Sequence, residues 1–214
     1  MSAGGFTAEE IDAGEALFRR PWRFVMSVPG LDHLPAAANP EIGFAGRSNV
    51  GKSSLINALT NQRGLARTSN TPGRTQDLNF FAAPGVALTI VDMPGYGFAQ
   101  APKSKVEQWT GLVKDYLRGR PTLVRVFLLV DARHGLKASD LVVMNLMDQA
   151  AVSYQVVLTK IDKIKPPDFA RTMQATGEDL KGHAAAYPGL LATSTRTGAG
   201  VAELRAQISQ LSPG

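Results

Sequence analysis

The sequence predicts an α/β domain, with a mostly parallel sheet, helices on both faces and one strand running antiparallel at the sheet edge. Three observations carry that expectation. From residue 41 onward, short apolar runs alternate with longer amphipathic stretches, the pattern of crossover units that bring each strand back parallel to the last. One pair of runs, 78–83 and 86–92, is separated only by Pro84-Gly85, too short for a crossover and suited to a hairpin. At 44% apolar and 19% charged, the 214 residues hold enough hydrophobic material for one well-buried core.

Taken in order, Thr7 and Glu10 have capping-box spacing, and Ile11, Ala16, Leu17 and Phe18 give a partial apolar face. Residues 1–20 are therefore read as an N-terminal extension holding a short helix, and 21–214 as one domain. In the proline- and alanine-rich stretch 21–40, Trp22, Phe24, Val25 and Val28 suggest an edge strand followed by a loop. Further strands are predicted near 41–45, 78–83, 86–92, 124–131, 154–159 and 189–193. Helices are predicted near 52–60, 103–118, 138–150, 167–183 and 200–211, with Met144 and Met147 on a core-facing side. There is no internal repeat, heptad pattern or low-complexity tract.

Several classes of protein are set aside by composition. Without cysteine there is no disulfide framework, thiolate metal site or cysteine nucleophile. The longest apolar run, Val126–Val130, lies between Arg125 and Asp131, far short of the ~20 residues of a membrane helix. The N-terminus carries Glu9, Glu10, Asp12 and Glu15 where a secretory signal would be basic and then apolar, so a cytoplasmic protein is expected. His33, His134 and His183 lack metal-ligand spacing. A net charge of +5 points mildly to an anionic partner, with nucleic acid the obvious kind.

In an open α/β sheet, ligands bind where strands end and helices begin. The first such loop, Gly46-Arg47-Ser48-Asn49-Val50-Gly51-Lys52-Ser53, is a complete G-x-x-x-x-G-K-S between a predicted strand and a helix opened by Ser54. Its glycines permit a tight turn whose N–H groups, with the helix N-terminus, surround phosphates. Lys52 can reach the β- and γ-phosphates, and the Ser53 hydroxyl can ligate Mg²⁺.

Three further loops fall where a nucleotide needs them. Asp92-Met93-Pro94-Gly95 ends a strand; the carboxylate can hold Mg²⁺ through water and the Gly95 amide can meet a γ-phosphate. The polar loop 63–76 contains Thr71-Pro72-Gly73-Arg74-Thr75, and Thr75 can add a second hydroxyl to the metal. Thr159-Lys160-Ile161-Asp162 follows another strand; Asp162 can take the N1–H and N2–H of guanine as a fork, a pattern adenine lacks, while the Lys160 stem packs along the base. In Thr193-Ser194-Thr195 the backbone can meet guanine O6.

The chain resembles the EngB family (YihA/YsxC) of TRAFAC-class P-loop GTPases, through 43–54, Asn70–Gln76, Asp92–Ala99 and Leu158–Lys163. The likeness spans roughly residues 20–211. It implies a Ras-like three-layer fold, magnesium-dependent GTP binding, slow GTP hydrolysis, a cytoplasmic location, and a part in large ribosomal subunit assembly and normal cell division. Two positions depart from the general GTPase pattern. Thr159 stands where most have asparagine, removing a side-chain amide that would brace the loop, and Ser194-Thr195-Arg196 stands where Ser-Ala-Lys is usual.

Tyr96 occupies the place of the glutamine that orients the attacking water in Ras-type enzymes, so intrinsic turnover is expected to be slow. Two routes would complete the site. Asn49 holds the position that helps seat K⁺ in related potassium-activated GTPases, or else it simply braces the loop; alternatively a ribosomal surface supplies the missing group. Lys103, Lys105, Arg118, Arg120, Arg125, Arg133 and Lys137, with the basic residues of 19–23 and 63–74, form a basic trend that could face rRNA or simply be solvated. Trp109 is read as packing. A monomer is expected. A GTP-gated module of the division machinery with no ribosomal role is the alternative reading; a P-loop ATPase or small-molecule kinase would have no use for Asp162.

Overall fold

The computed structural model describes residues 5–66, 77–97 and 103–213, with backbone alone over 103–110. Its strands are β1 (Arg23–Val28), β2 (Glu41–Gly46), β3 (Leu78–Ala82), β4 (Thr89–Asp92), β5 (Leu123–Asp131), β6 (Tyr154–Thr159) and β7 (Leu191–Ala192). Its helices are α1 (Ala8–Phe18), α2 (Lys52–Leu59), α3 (Lys103–Gly119), α4 (Ala138–Gln149), α5 (Pro166–Leu180) and α6 (Val201–Ser209).

The seven strands form one sheet in the order β1-β3-β4-β2-β5-β6-β7. β2, β4, β5, β6 and β7 pair in parallel, and β3 runs against β4, as the Pro84-Gly85 turn predicts. β1 pairs antiparallel with β3, so the antiparallel pairing sits at one edge and the strand predicted from Trp22–Val28 takes the outermost place. β4 begins three residues later than its apolar run, because Val86 N–H closes the turn onto the Ala83 carbonyl (3.2 Å) with Gly85 left-handed at φ 72°.

Helices cover both faces. β5 shows how: Val126, Leu128 and Val130 join Val113 and Tyr116 of α3 and Met144 and Met147 of α4 on one side. Phe127 and Leu129 join Phe18 of α1, Leu55 and Ile56 of α2 and Leu204 and Ile208 of α6 on the other. A strand buried on both faces cannot alternate polar and apolar residues, which is why these segments read as continuous apolar runs. The parallel strands deliver their carboxyl ends, and the loops that follow, to one rim of the sheet.

The opposite rim is closed by a buried polar cluster. Glu41, at the start of β2, accepts the Tyr116 hydroxyl (2.6 Å) and the Arg120 guanidinium (2.9 Å), and Arg120 also donates to the Pro35 carbonyl (2.9 Å).

Candidate nucleotide site

β2 ends at Gly46, and the chain turns through Arg47–Gly51 into α2. The turn is close-packed: a Cβ on Gly46 would lie 2.8 Å from Val50 Cγ1 and 3.0 Å from the Leu129 carbonyl oxygen. Asn49 (φ 63°) and Gly51 (φ 106°) take left-handed backbone, the alternation that lets successive N–H groups converge on an anion. No side chain caps the N-terminus of α2, so the first-turn N–H groups of Lys52, Ser53 and Ser54 are left for such an anion. Val50 is buried in the core.

The continuation of β4 lies alongside this loop. Met93 N–H donates to the Phe44 carbonyl (3.0 Å), Tyr96 N–H to that of Gly46 (3.4 Å), and Ser48 N–H to that of Tyr96 (3.0 Å). Gly95 thereby abuts Ser48 so closely that a Cβ would stand 3.0 Å from its hydroxyl oxygen. Met93 turns its side chain into the core and leaves only backbone to the loop. Lys52 is ion-paired with Asp92, both largely buried, which places the ammonium beside the carboxylate that ends β4.

The loop after β6 is tied to the phosphate loop by hydrogen bonds from two side chains, Thr159 and Lys160. Thr159 donates its hydroxyl to the Val50 carbonyl (2.8 Å). The expected loss of bracing at this threonine is therefore corrected: the hydroxyl reaches the phosphate loop itself and supplies a brace. Lys160, left-handed at φ 59°, runs its stem past Gly51 and places Nζ between the Asn49 carbonyl (2.5 Å) and Asp131 (2.9 Å). Burial pushes the Asp131 carboxyl up, but hydrogen bonds from Arg133 and Lys160 outweigh it and hold the group well below the usual carboxylate range.

Asp162 accepts the Ser194 hydroxyl (2.6 Å) on one oxygen and Arg196 Nε (2.7 Å) on the other. The Ser194 bond first, and the arginine with it, lower its pKa, so the group is a carboxylate at neutral pH. Ser194 is buried while Thr195 is exposed, and the turn closes through Ser194 N–H to Ala199 (2.9 Å) and Gly198 N–H to Ser194 (2.9 Å). Thr193 is buried and bonded by its N–H to the Leu158 carbonyl (2.7 Å).

Thus the phosphate loop, Asp92–Gly95, Thr159–Asp162 and Thr193–Thr195 meet at one rim, while Gly73, Arg74 and Thr75 lie outside the described residues. The Ser53 hydroxyl and Asp92 carboxylate are hard oxygen donors beside an anion-binding turn, which fits Mg²⁺. Among the described residues no three His, Asp or Glu side chains gather into a metal cage. Magnesium in such sites takes its remaining ligands from phosphate and water.

Two predicted surface cations are placed elsewhere. Arg120 is buried on Glu41, and Arg125 lies 4.0 Å over the Tyr187 ring, so neither extends the basic surface. Arg118, Arg133 and Lys137 are exposed, whereas the side chains of Lys103, Lys105 and Trp109 lie outside the described residues. His183 pairs with Asp148 (2.5 Å).

Sequence reasoning missed a contact beneath the site. Tyr96 is buried and donates its hydroxyl to Asp140 of α4 (2.7 Å), which also faces Arg47 at 3.2 Å. The only signal was Asp140 three residues after Lys137, helix-start spacing that says nothing of a loop 44 residues away.

Comparison with known proteins agrees with this geometry. The family described as 50S ribosome-binding GTPase matches residues 41–160. A probable GTP-binding protein EngB of Chelativorans sp. (strain BNC1) is 55% identical, covering 96% of this chain and 95% of its own. The corresponding protein of Mesorhizobium japonicum is 58% identical over 90% of this chain and 94% of its own. The crystal structure of a probable GTP-binding protein engB superimposes with a TM-score of 0.65 at 24% identity, over 80% of this chain and 97% of that one. Era in complex with MgGDPNP and a 16S ribosomal RNA segment gives a TM-score of 0.63 at 24% identity, over 83% of this chain and 58% of that one.

Proposed function

The chain belongs to the EngB family of GTP-binding proteins, and from that premise we propose that it is a GTP-hydrolysing switch acting in assembly of the large ribosomal subunit in the cytoplasm, as a monomer, and thereby needed for normal cell division. The observation that carries the reading is the abutment of Gly95 on Ser48, which sets a γ-phosphate-sensing amide against a complete phosphate loop. The ribosomal partner is drawn from the description of the matching family.

In this reading the amides of Gly46–Ser54 and the Lys52 ammonium hold the phosphates, and Asp162 selects guanine by accepting its two N–H groups. Ser53, Thr75 and, through water, Asp92 would hold Mg²⁺, which neutralises charge developing between the β- and γ-phosphates. Gly73 and Arg74 would also contact the nucleotide, and Thr75 and Gly95 would be drawn inward by GTP and released on hydrolysis. Hydrolysis is slow because the Tyr96 phenol is buried on Asp140 and carries no amide to orient water. Asn49, exposed on the loop, would help seat K⁺; the competing source of the missing positive charge is the ribosomal surface.

Cosedimentation with large subunits tests the switch: binding with a non-hydrolysable GTP analogue and release with GDP support it, and equal binding in both overturns it. Single-turnover hydrolysis in KCl and NaCl at matched ionic strength, with and without large subunits, then identifies what completes the site. Acceleration by K⁺ alone, lost in Asn49→Ala, assigns it to the cation; acceleration by the subunit alone assigns it to the partner.

A further inference from the structure

We propose that Tyr96, Asp140 and Arg47 form a positioning set that fixes the Gly95 amide for the terminal phosphate, so that preference for a triphosphate over a diphosphate depends on a carboxylate in α4. The inference rests on the GTP-binding reading above.

Asp140 is wholly buried, at 0% exposure, although its side chain is polar. A buried carboxylate is tolerated only when its oxygens are satisfied. One oxygen accepts the Tyr96 hydroxyl at 2.7 Å; the other accepts Lys137 N–H at 2.8 Å and faces Arg47 Nε at 3.2 Å. The contact to Lys137 is the ordinary work of an acidic residue in the first turn of a helix. The other two reach across to separate loops. Arg47 belongs to the phosphate loop, and Tyr96 follows Gly95 directly. One carboxylate therefore anchors both walls between which a γ-phosphate would sit.

The backbone around these side chains leaves little slack. Ser48 N–H donates to the Tyr96 carbonyl at 3.0 Å, crossing from one wall to the other. After Tyr96 the chain turns at Gly97 with φ 77°, and a Cβ there would lie 3.2 Å from Arg47 Cγ and 3.5 Å from the Ser139 hydroxyl oxygen. Burial, and then the neighbouring Asp140 charge, push the Tyr96 phenol well above its ordinary value, so it remains a proton donor to the carboxylate throughout the working pH range.

Removing the Tyr96 hydroxyl leaves the aromatic packing and the backbone bonds of Tyr96 but cuts the link from Asp140 to the residue that follows Gly95. Diphosphate binding uses the phosphate loop and the guanine loops and has no need of the Gly95 amide. A triphosphate does.

The experiment is equilibrium binding of a non-hydrolysable fluorescent GTP analogue and of fluorescent GDP, with Mg²⁺, to the full chain as wild type, Tyr96→Phe, Asp140→Asn and the double variant. In Tyr96→Phe the triphosphate affinity falls about tenfold, the worth of one hydrogen bond to a charged group, while GDP affinity stays within about twofold. Asp140→Asn keeps an acceptor for the Tyr96 hydroxyl but sets an amide donor against Lys137 N–H and Arg47; it too weakens the triphosphate more than GDP, and the double variant shows less than the product of the two losses because both act on one cluster. Equal losses for the two nucleotides, or none for either, overturn the proposal. Wild-type protein that binds neither nucleotide overturns the GTP reading itself. Melting of each variant with GDP bound separates misfolding from a change in discrimination.

Discussion

At the residue scale, the side chains around the guanine loop do more than their motif positions announce. The Thr159 hydroxyl satisfies the buried Val50 carbonyl, so Thr159→Val, nearly equal in volume, strands that acceptor. A loss of about 1–2 kcal/mol in unfolding free energy and weaker binding of both GTP and GDP are expected, read by denaturant titration and nucleotide binding. Asp131 gives a pH signature. Its pKa in the folded protein lies below the ordinary 3.8, so the stabilisation it brings is complete above that value and is lost as pH falls through the lower, folded value. The stability gap between wild type and Asp131→Asn should be flat from neutral pH down to about 5 and then close under acid, as followed by unfolding at successive pH values. The positions of Lys52, Asp92 and Asp162 at the strand ends were legible because the motifs that contain them follow predicted strands. Asp140 and Asp131 were not, because the partners that tie them to the site, Tyr96 and Arg47 for one and Lys160 for the other, lie on other elements, and no local pattern marks such a pairing.

At the scale of elements, α2 carries the phosphate loop at its N-terminus, and its other end is held by a residue no motif pointed to. Arg205 of α6 is buried and donates to the Leu59 carbonyl (2.9 Å), the Ala58 carbonyl (2.8 Å) and the Asn61 side chain (3.0 Å), while also pairing with Glu15 of α1 (2.6 Å). A cation bonded to the last carbonyls of a helix satisfies acceptors that have no intrahelical donor and suits the negative end of the helix dipole. Arg205→Met keeps the apolar stem but leaves those carbonyls and Glu15 without it. A loss of about 3 kcal/mol is expected, with Glu15→Gln costing less because the carbonyl bonds survive; thermal unfolding of the two variants checks the order. Strand and helix boundaries were readable within a few residues because periodicity and turn chemistry are local. The late start of β4 was not, since Val86–Leu88 is apolar enough for a strand, and whether it joins the ladder depends on the width of the preceding turn.

At the scale of the molecule, the three layers explain why the N-terminal extension concerns function at all. α1 lies on α6 so closely that a Cβ on Gly14 would stand 2.5 Å from Ala206 N, and Phe18 stacks on Trp22 with ring centroids 5.5 Å apart. Both rings are buried in the layer that also contains Leu55, Ile56 and Leu59 of α2. The capping box and partial apolar face predicted this helix, but a lone amphipathic stripe does not say what it packs against. The fold answers that: the stripe covers the same face of the sheet on which the phosphate-loop helix rests. Deleting residues 1–20 removes Phe18 and Glu15 together, exposing Trp22 and leaving Arg205 without its anion. Losing a buried phenylalanine alone costs about 3–5 kcal/mol, and for a domain of this size each kcal/mol lowers the melting temperature by roughly 2–4 °C. The truncated chain should therefore melt at least about 6 °C lower, and GDP with Mg²⁺ should restore part of the difference, because ligand that binds only the folded form opposes unfolding. Calorimetry of the full and shortened chains, with and without nucleotide, decides the point. A shortened chain that melts within a few degrees of the full one would make α1 a detachable arm; the expected drop makes it a structural wall of the nucleotide-binding half.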